Sequence, residues 1–270
     1  MLPDLAALTL DDSEMTLGAD PQLLRNELLA LIENAAINAP RSLQRAIGPS
    51  GLGTPCLRKL AYGLTETPTA VARRVAWLPV IGTAVHAWLA EALIGTPLYA
   101  AVDPQDYGSR RFLVETRVNV GRVNGVDIVG SADLYDRVTC TVVDHKVVGA
   151  TTLRRARAGP SDTYRVQIHC YGRGFVRRGL PVERVAILYL PRNGDLREAV
   201  LWTERYDETV ATQALQRADA VVLGVKVAGA TAIIPSLPTA DDYCTSCPWF
   251  RPNVTPSALS CPGHTDPSDR

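Results

Sequence analysis

The stretch TVVDHKVV, residues 141–148, constrains the fold more than any other, because it sets an aspartate and a lysine among valines. Side chains alternate along a strand, so Asp144 and Lys146 leave one face while Val143, His145 and Val147 leave the other. An unpaired charge in so apolar a strand is costly to bury, and a lysine–aspartate pair roughly breaks even against apolar residues. That face must hold something more. Asp133, near the end of the apolar run VDIVGSADLYD, is the natural candidate. Only a few residues around YDRVT separate the two runs, so they should pair as an antiparallel hairpin. Two carboxylates and an ammonium then converge near one end.

The chain has 270 residues, enough to bury a full core as one α/β domain with a small appended element. Its 28 basic and 28 acidic residues cancel, which excludes a uniformly basic nucleic-acid coat but not local basic patches. The start, MLPDLAALTLDDSEM, is acidic and has no basic region ahead of an apolar stretch. No uninterrupted apolar run approaches the roughly 20 residues of a membrane span. The expectation is a soluble, cytoplasmic protein with no membrane partner.

Residues 1–19 read as a leader. A helix follows from Pro21 to about Asn38, with Asp20 as its N-cap. A second helix, LPVIGTAVHAWLAEALIG, carries His86 and should stop near Gly95 and Pro97. The period then changes from helical to alternating. Residues 111–136 alternate around an Asn124-Gly125 turn, and residues 139–148 complete a three-stranded meander. A helix over 162–179, a strand over 182–192, a featureless polar turn or hairpin over 193–199 and a long helix from about Tyr206 to Val227 complete the order. That order describes a mixed sheet flanked by helices, with the active face at strand ends.

Asp133, ten residues, Asp144-x-Lys146, then Gln167-x-x-x-Tyr171 twenty residues on, resembles the PD-(D/E)XK nuclease superfamily in its RecB-like form. His86 in GTAVHAWLAEAL matches the metal-binding histidine of that family's upstream helix. The resemblance implies an α/β, restriction-endonuclease-like core in which His86, Asp133, Asp144 and the backbone carbonyl of His145 bind one or two Mg2+ or Mn2+ ions. It gives Lys146 the placing and deprotonation of the attacking water, Gln167 the support of that lysine, and Tyr171 a place facing substrate. Phosphodiester hydrolysis needs a hydroxide equivalent and a Lewis acid, and hard oxygen ligands with one imidazole suit these cations. Glu115 reads as a solvated strand residue, with an outer carboxylate as the alternative. The side chains of His145 and His169 receive no role.

Cys244-x-x-Cys247, Cys261 and the distant Cys56 give a second signal. A CxxC in an intracellular chain suggests metal or redox chemistry more than a structural disulfide, and four thiolates could hold zinc or an iron–sulfur cluster. One cysteine before the core and three after it is similar to the arrangement of RecB-like iron–sulfur nucleases, including CRISPR-associated exonucleases and AddB-type subunits. The resemblance implies a 4Fe-4S cluster stapling a C-terminal segment, 236–270, to Cys56 across a nuclease core, 50–235, behind an N-terminal leader and helix, 1–49. The thirteen residues between Cys247 and Cys261, with His264 close by, keep Zn2+ or a mixed Cys/His site as the alternative. Cys140 and Cys170 read as small apolar residues.

Arginines recur at Arg110-Arg111, at Arg154, Arg155 and Arg157, and at Arg173, Arg177 and Arg178. The middle cluster is expected in a loop just after Lys146, where a phosphate backbone would pass. With no net charge, a narrow path for one strand suits better than a broad duplex surface. The reading is a metal-dependent DNA exonuclease on single-stranded ends. Its alternatives are a structure-specific endonuclease and a non-catalytic DNA-end-binding subunit with recombination or CRISPR-adaptation proteins as partners.

Overall fold

The structure, a computed structural model, describes residues 21–39, 46–69, 77–96 and 110–264. Contacts divide the chain into two units, residues 1–43 and 44–270. The first contains α1 (Pro21–Ile37), which opens on proline where a missing N–H costs nothing, and buries none of its residues. The expected cap Asp20, the leader over 1–19, the stop at Pro97 and the tail beyond His264 lie outside the described residues.

The second unit opens with the short helices α2 (Pro49–Leu52) and α3 (Leu57–Leu64), then α4 (Trp77–Gly95), which spans the predicted His86 helix. Strands β1 (Phe112–Val123), β2 (Val126–Asp136) and β3 (Thr141–Val148) form the predicted meander. Asn124 and Gly125 both take positive φ, 51° and 82°, the backbone that a two-residue hairpin requires. The chain continues through α5 (Ala150–Ala156) and α6 (Asp162–Arg177) to β4 (Arg184–Pro191), which lies parallel to β3. Strand β5 (Val200–Arg205) pairs antiparallel with β4, and α7 (Glu208–Ala228) and α8 (Ala230–Ile233) follow.

The result is a five-stranded mixed sheet in the order β1-β2-β3-β4-β5 with helices packed on it. Two expectations are corrected. The polar turn or hairpin expected over 193–199 is a hairpin connection, with a short 3-10 turn at Leu196–Glu198, and it leads into β5, where no strand was expected. In VLWTER the outward Leu201 is 61% exposed, so apolar character falls on both faces and blurs the strand signal. The segment with Arg154 and Arg155, predicted as a loop, is the helix α5.

The core lies between sheet and helices. Val118 and Val120 of β1, Tyr135 of β2, Val142 of β3 and Ile187 of β4 meet Ile168 and Phe175 of α6, all nearly or wholly buried. The rings of Tyr135 and Phe175 stack at 4.7 Å. Helix α4 packs along β1 and β3, which carries His86 to the sheet. Among the described residues α4 is the one single helix long and apolar enough, by length and composition, to cross a membrane.

Candidate active site and cysteine pocket

The β2–β3 ladder runs from Asp136↔Thr141 to Leu134↔Val143 and ends there. The next two opposed residues are Asp133 and Asp144, so the strands part where the carboxylates begin. Asp133 fills the gap with its own side chain: Oδ2 accepts the backbone N–H of His145 at 2.7 Å, replacing a ladder bond. Its Oδ1 lies 3.3 Å from Nδ1 of His86. The hydrogen bond to Asp133 raises the His86 pKa above its ordinary value. Burial works against ionised Asp133, but His86 and the His145 N–H outweigh it and hold the carboxyl below its usual range.

The His145 side chain is not remote, as strand alternation alone suggested. Its ring is buried, with Nδ1 3.8 Å from Asp133 Oδ2 and its centroid 6.1 Å from that of His86. Because β2 has separated from β3, the opposite face of β3 closes over Asp133. Burial lowers the His145 pKa, so the ring is neutral there.

Asp144 and Lys146 share a face, as predicted, with Lys146 Nζ 2.7 Å from Asp144 Oδ2. Helix α6 brings Gln167 over both: its Nε2 donates to Asp144 Oδ1 at 3.0 Å and to the Tyr171 hydroxyl at 3.4 Å. Its Oε1 accepts from Lys146 Nζ at 3.2 Å. Flipping this amide would set NH2 against ammonium and oxygen against carboxylate, so charge fixes its orientation. Burial, helped by the like charge of Asp133, pushes Asp144 up to about 6 against the pull of Lys146. Its Oδ2 is buried, with the Lys146 ammonium at 2.7 Å as its one partner.

A cation fits here on two observations. One is the buried Oδ2 of Asp144, which has Lys146 alone beside it and acceptor capacity left over. The other is that His86, Glu115 and Asp133 bring one ligand atom each within 4.8 Å of one another, the only such group among the described residues. Glu115 is exposed, has φ 44°, and accepts from Ser131 Oγ at 2.7 Å. Val114↔Leu134 and Thr116↔Ala132 set it opposite Asp133. An imidazole with carboxylate oxygens suits Mg2+ or Mn2+. The signal for Glu115 was its register, which a bulge at Gly121 shifts by one residue.

Cys56, Cys244, Cys247 and Cys261 line one small pocket, with Lys59, Tyr62 and His264 also in its wall. Each sulfur accepts an N–H. Cys56 takes it from Lys59 at 3.4 Å, Cys244 from His264 at 3.3 Å, Cys261 from Gly263 at 3.4 Å, and Cys247 from the Trp249 backbone. No three of these thiols, with or without His264, bring ligand atoms within 4.8 Å of one another. Cys140 and Cys170 stand outside the pocket, and burial pushes the Cys170 thiol up to about 12.

The arginines divide. Arg154, Arg155 and Arg157 are exposed on and just after α5. Arg111 is held bidentate by Asp136 at 2.9 and 3.0 Å. Arg173 donates to the Val120 carbonyl and Arg177 to that of Asn119, so these two tie α6 to β1.

No protein-family profile and no curated protein sequence matches the chain. Solved structures similar to it include three exonucleases. An alkaline exonuclease from Laribacter hongkongensis is 12% identical, covering 67% of this chain and 88% of its own, with a TM-score of 0.46. A candidate exonuclease from Eubacterium rectale is 15% identical, covering 82% and 93%, with a TM-score of 0.46. A phage-related exonuclease from Haemophilus somnus is 10% identical, covering 61% and 76%, with a TM-score of 0.39.

Proposed function

We propose that this chain is a cytoplasmic, divalent-cation-dependent DNA exonuclease of the PD-(D/E)XK type, acting on single-stranded ends. The observation that carries the reading is Lys146 held between Asp144 and Gln167, against a buried carboxylate whose Oδ2 has no other partner. His86, Asp133 and Asp144, the backbone carbonyl of His145, and Glu115 at the outer edge would hold Mg2+ or Mn2+. The cation supplies the Lewis acidity that the phosphodiester transition state requires. Lys146, as an ammonium, orients the attacking water and stabilises the hydroxide formed as the proton leaves to solvent, and Gln167 keeps the lysine aimed. The new P–O bond forms as the P–O3′ bond breaks, leaving a 5′-phosphate. Tyr171, expected to face substrate, is buried in the core and holds Gln167 through its hydroxyl, while Arg154, Arg155 and Arg157 offer exposed charge to the substrate phosphates.

Cys56, Cys244, Cys247 and Cys261 would hold a structural 4Fe-4S cluster. N–H donation to each sulfur suits thiolate ligands, and zinc, with Zn–S bonds of about 2.3 Å, would draw the sulfurs closer together than they are. Partners in recombination or CRISPR adaptation belong to the same proposal.

The test is degradation of end-labelled linear single-stranded DNA and of a closed circular strand, with Mn2+, by anaerobically purified protein and by Lys146→Ala. Loss of the linear strand alone, abolished in the variant, is the expected result. Cutting of the circle would show an endonuclease. A cluster-loaded protein that cuts neither would be a DNA-end-binding subunit.

A further inference from the structure

The mechanism above leaves one contact of Lys146 unused. The ammonium lies 4.8 Å from the centroid of the Tyr164 ring, on its face, in addition to its contacts with Asp144 and Gln167. Three unlike groups therefore surround one nitrogen: a carboxylate, an amide oxygen and an aromatic face. Local structure fixes the third as firmly as the others. Ser161 caps α6 and accepts the Tyr164 N–H at 3.4 Å, which sets Tyr164 in the first turn of the helix. Its ring then packs 6.4 Å from that of Tyr189, which is buried and lies opposite Lys146 in the β3–β4 register.

We propose that Tyr164 is a positioning residue for Lys146, its ring face holding the lysine ammonium over the site by a cation–π contact. This rests on the nuclease reading. The need for it comes from Asp144, which serves both as the lysine's counterion and as a candidate cation ligand. A carboxylate shared with a divalent cation has less charge to hold a lysine. A ring face has no carboxylate to give up: its quadrupole attracts the ammonium and it offers the cation no hard oxygen donor. Tyr164 and Gln167 thus keep Lys146 in place without competing for the cation. The hydroxyl of Tyr164 has no part in this, so phenylalanine should serve as well, whereas leucine fills similar space with no π face.

The chain has three lysines, Lys59, Lys146 and Lys226, so selectively labelled lysine gives a spectrum simple enough to assign with Lys146→Gln. The experiment compares wild type, Tyr164→Phe and Tyr164→Leu by two readouts. The first is the 1H–13C signal of the Lys146 side chain, which a ring face at this distance displaces upfield. The second is cleavage kinetics with Mn2+. Wild type and Tyr164→Phe should share the upfield signal and kcat. Tyr164→Leu should lose the displacement, and its kcat should fall about tenfold with KM little changed. An upfield Lys146 signal retained in Tyr164→Leu, or a kcat within twofold of wild type, overturns the proposal. A kcat lost equally in Tyr164→Phe overturns it too, since the hydroxyl would then be the active group. The first readout needs no turnover. If wild type cuts no DNA while the displaced signal is present, the nuclease reading fails, and the reaction role of Tyr164 falls with it, although the contact itself stands.

Discussion

Asp144 concentrates the chemistry of this chain in one side chain. It is 2% exposed, one oxygen is satisfied by Gln167, and the other has only the charge of Lys146 beside it. Its pKa of about 6 lies above its ordinary value, so the folded chain favours the protonated acid. The ion pair with Lys146 is therefore present above about pH 6 and fades as pH falls through that value. Replacing Lys146 by alanine strands the carboxylate, and should cost about 2 kcal/mol of folding stability at pH 8. At pH 5 the loss should nearly vanish, because the acid is neutral there with or without the lysine. Urea unfolding of wild type and Lys146→Ala at the two pH values measures both. At this scale the sequence was legible where alternation decides, as for Asp144 and Lys146 on one face. It was not legible for the His145 ring, which reaches Asp133 only because β2 and β3 separate.

At the scale of elements, the hairpin turn, the meander and the helices bearing His86 and Gln167 could all be read from local chemistry. Asn-Gly supplies two residues that accept positive φ, and the change between alternating and helical period marks where strands give way to helices. The register of Glu115 could not be read. Counting back from the turn sets it opposite Leu134, and the bulge between Asn119 and Gly121 moves it opposite Asp133. Strand β5 was hidden because a short edge strand exposes apolar residues on its outer face. The placing of α6 depends on Gly53, where an added Cβ would lie 2.7 Å from both the Cα and the carbonyl oxygen of Thr163. These are backbone atoms at the start of the helix and cannot rotate aside. Gly53→Ala should therefore displace the first turn of α6, lowering stability by about 2–3 kcal/mol. Thermal unfolding followed by circular dichroism would show it as a lower melting temperature.

For the whole molecule, the decisive contacts join the beginning of the second unit to its end. Arg58, 8% exposed, donates to the carbonyls of Ile234, Pro235 and Leu237 and to the Cys261 sulfur. Lys59 pairs with Asp242 at 2.7 Å, and the Tyr62 hydroxyl meets the carbonyls of Ser257 and Ser260. One short helix, α3, thus anchors the C-terminal segment. Arg58→Ala removes the anchor's buried cation and should open residues 236–264 to protease before the sheet unfolds. Limited proteolysis with mass-spectrometric mapping checks this, and the same cleavage in wild type would refute it. By itself the sequence determined that Asp144 and Lys146 share a face, and it determined most elements, because charge in an apolar strand, turn chemistry and helical period are local properties. Only the tertiary structure decided where the β2–β3 ladder ends, which carboxylate faces His86 and which ring lies against Lys146. Those outcomes depend on register, bulges and packing between segments far apart in the chain, and no local pattern encodes them.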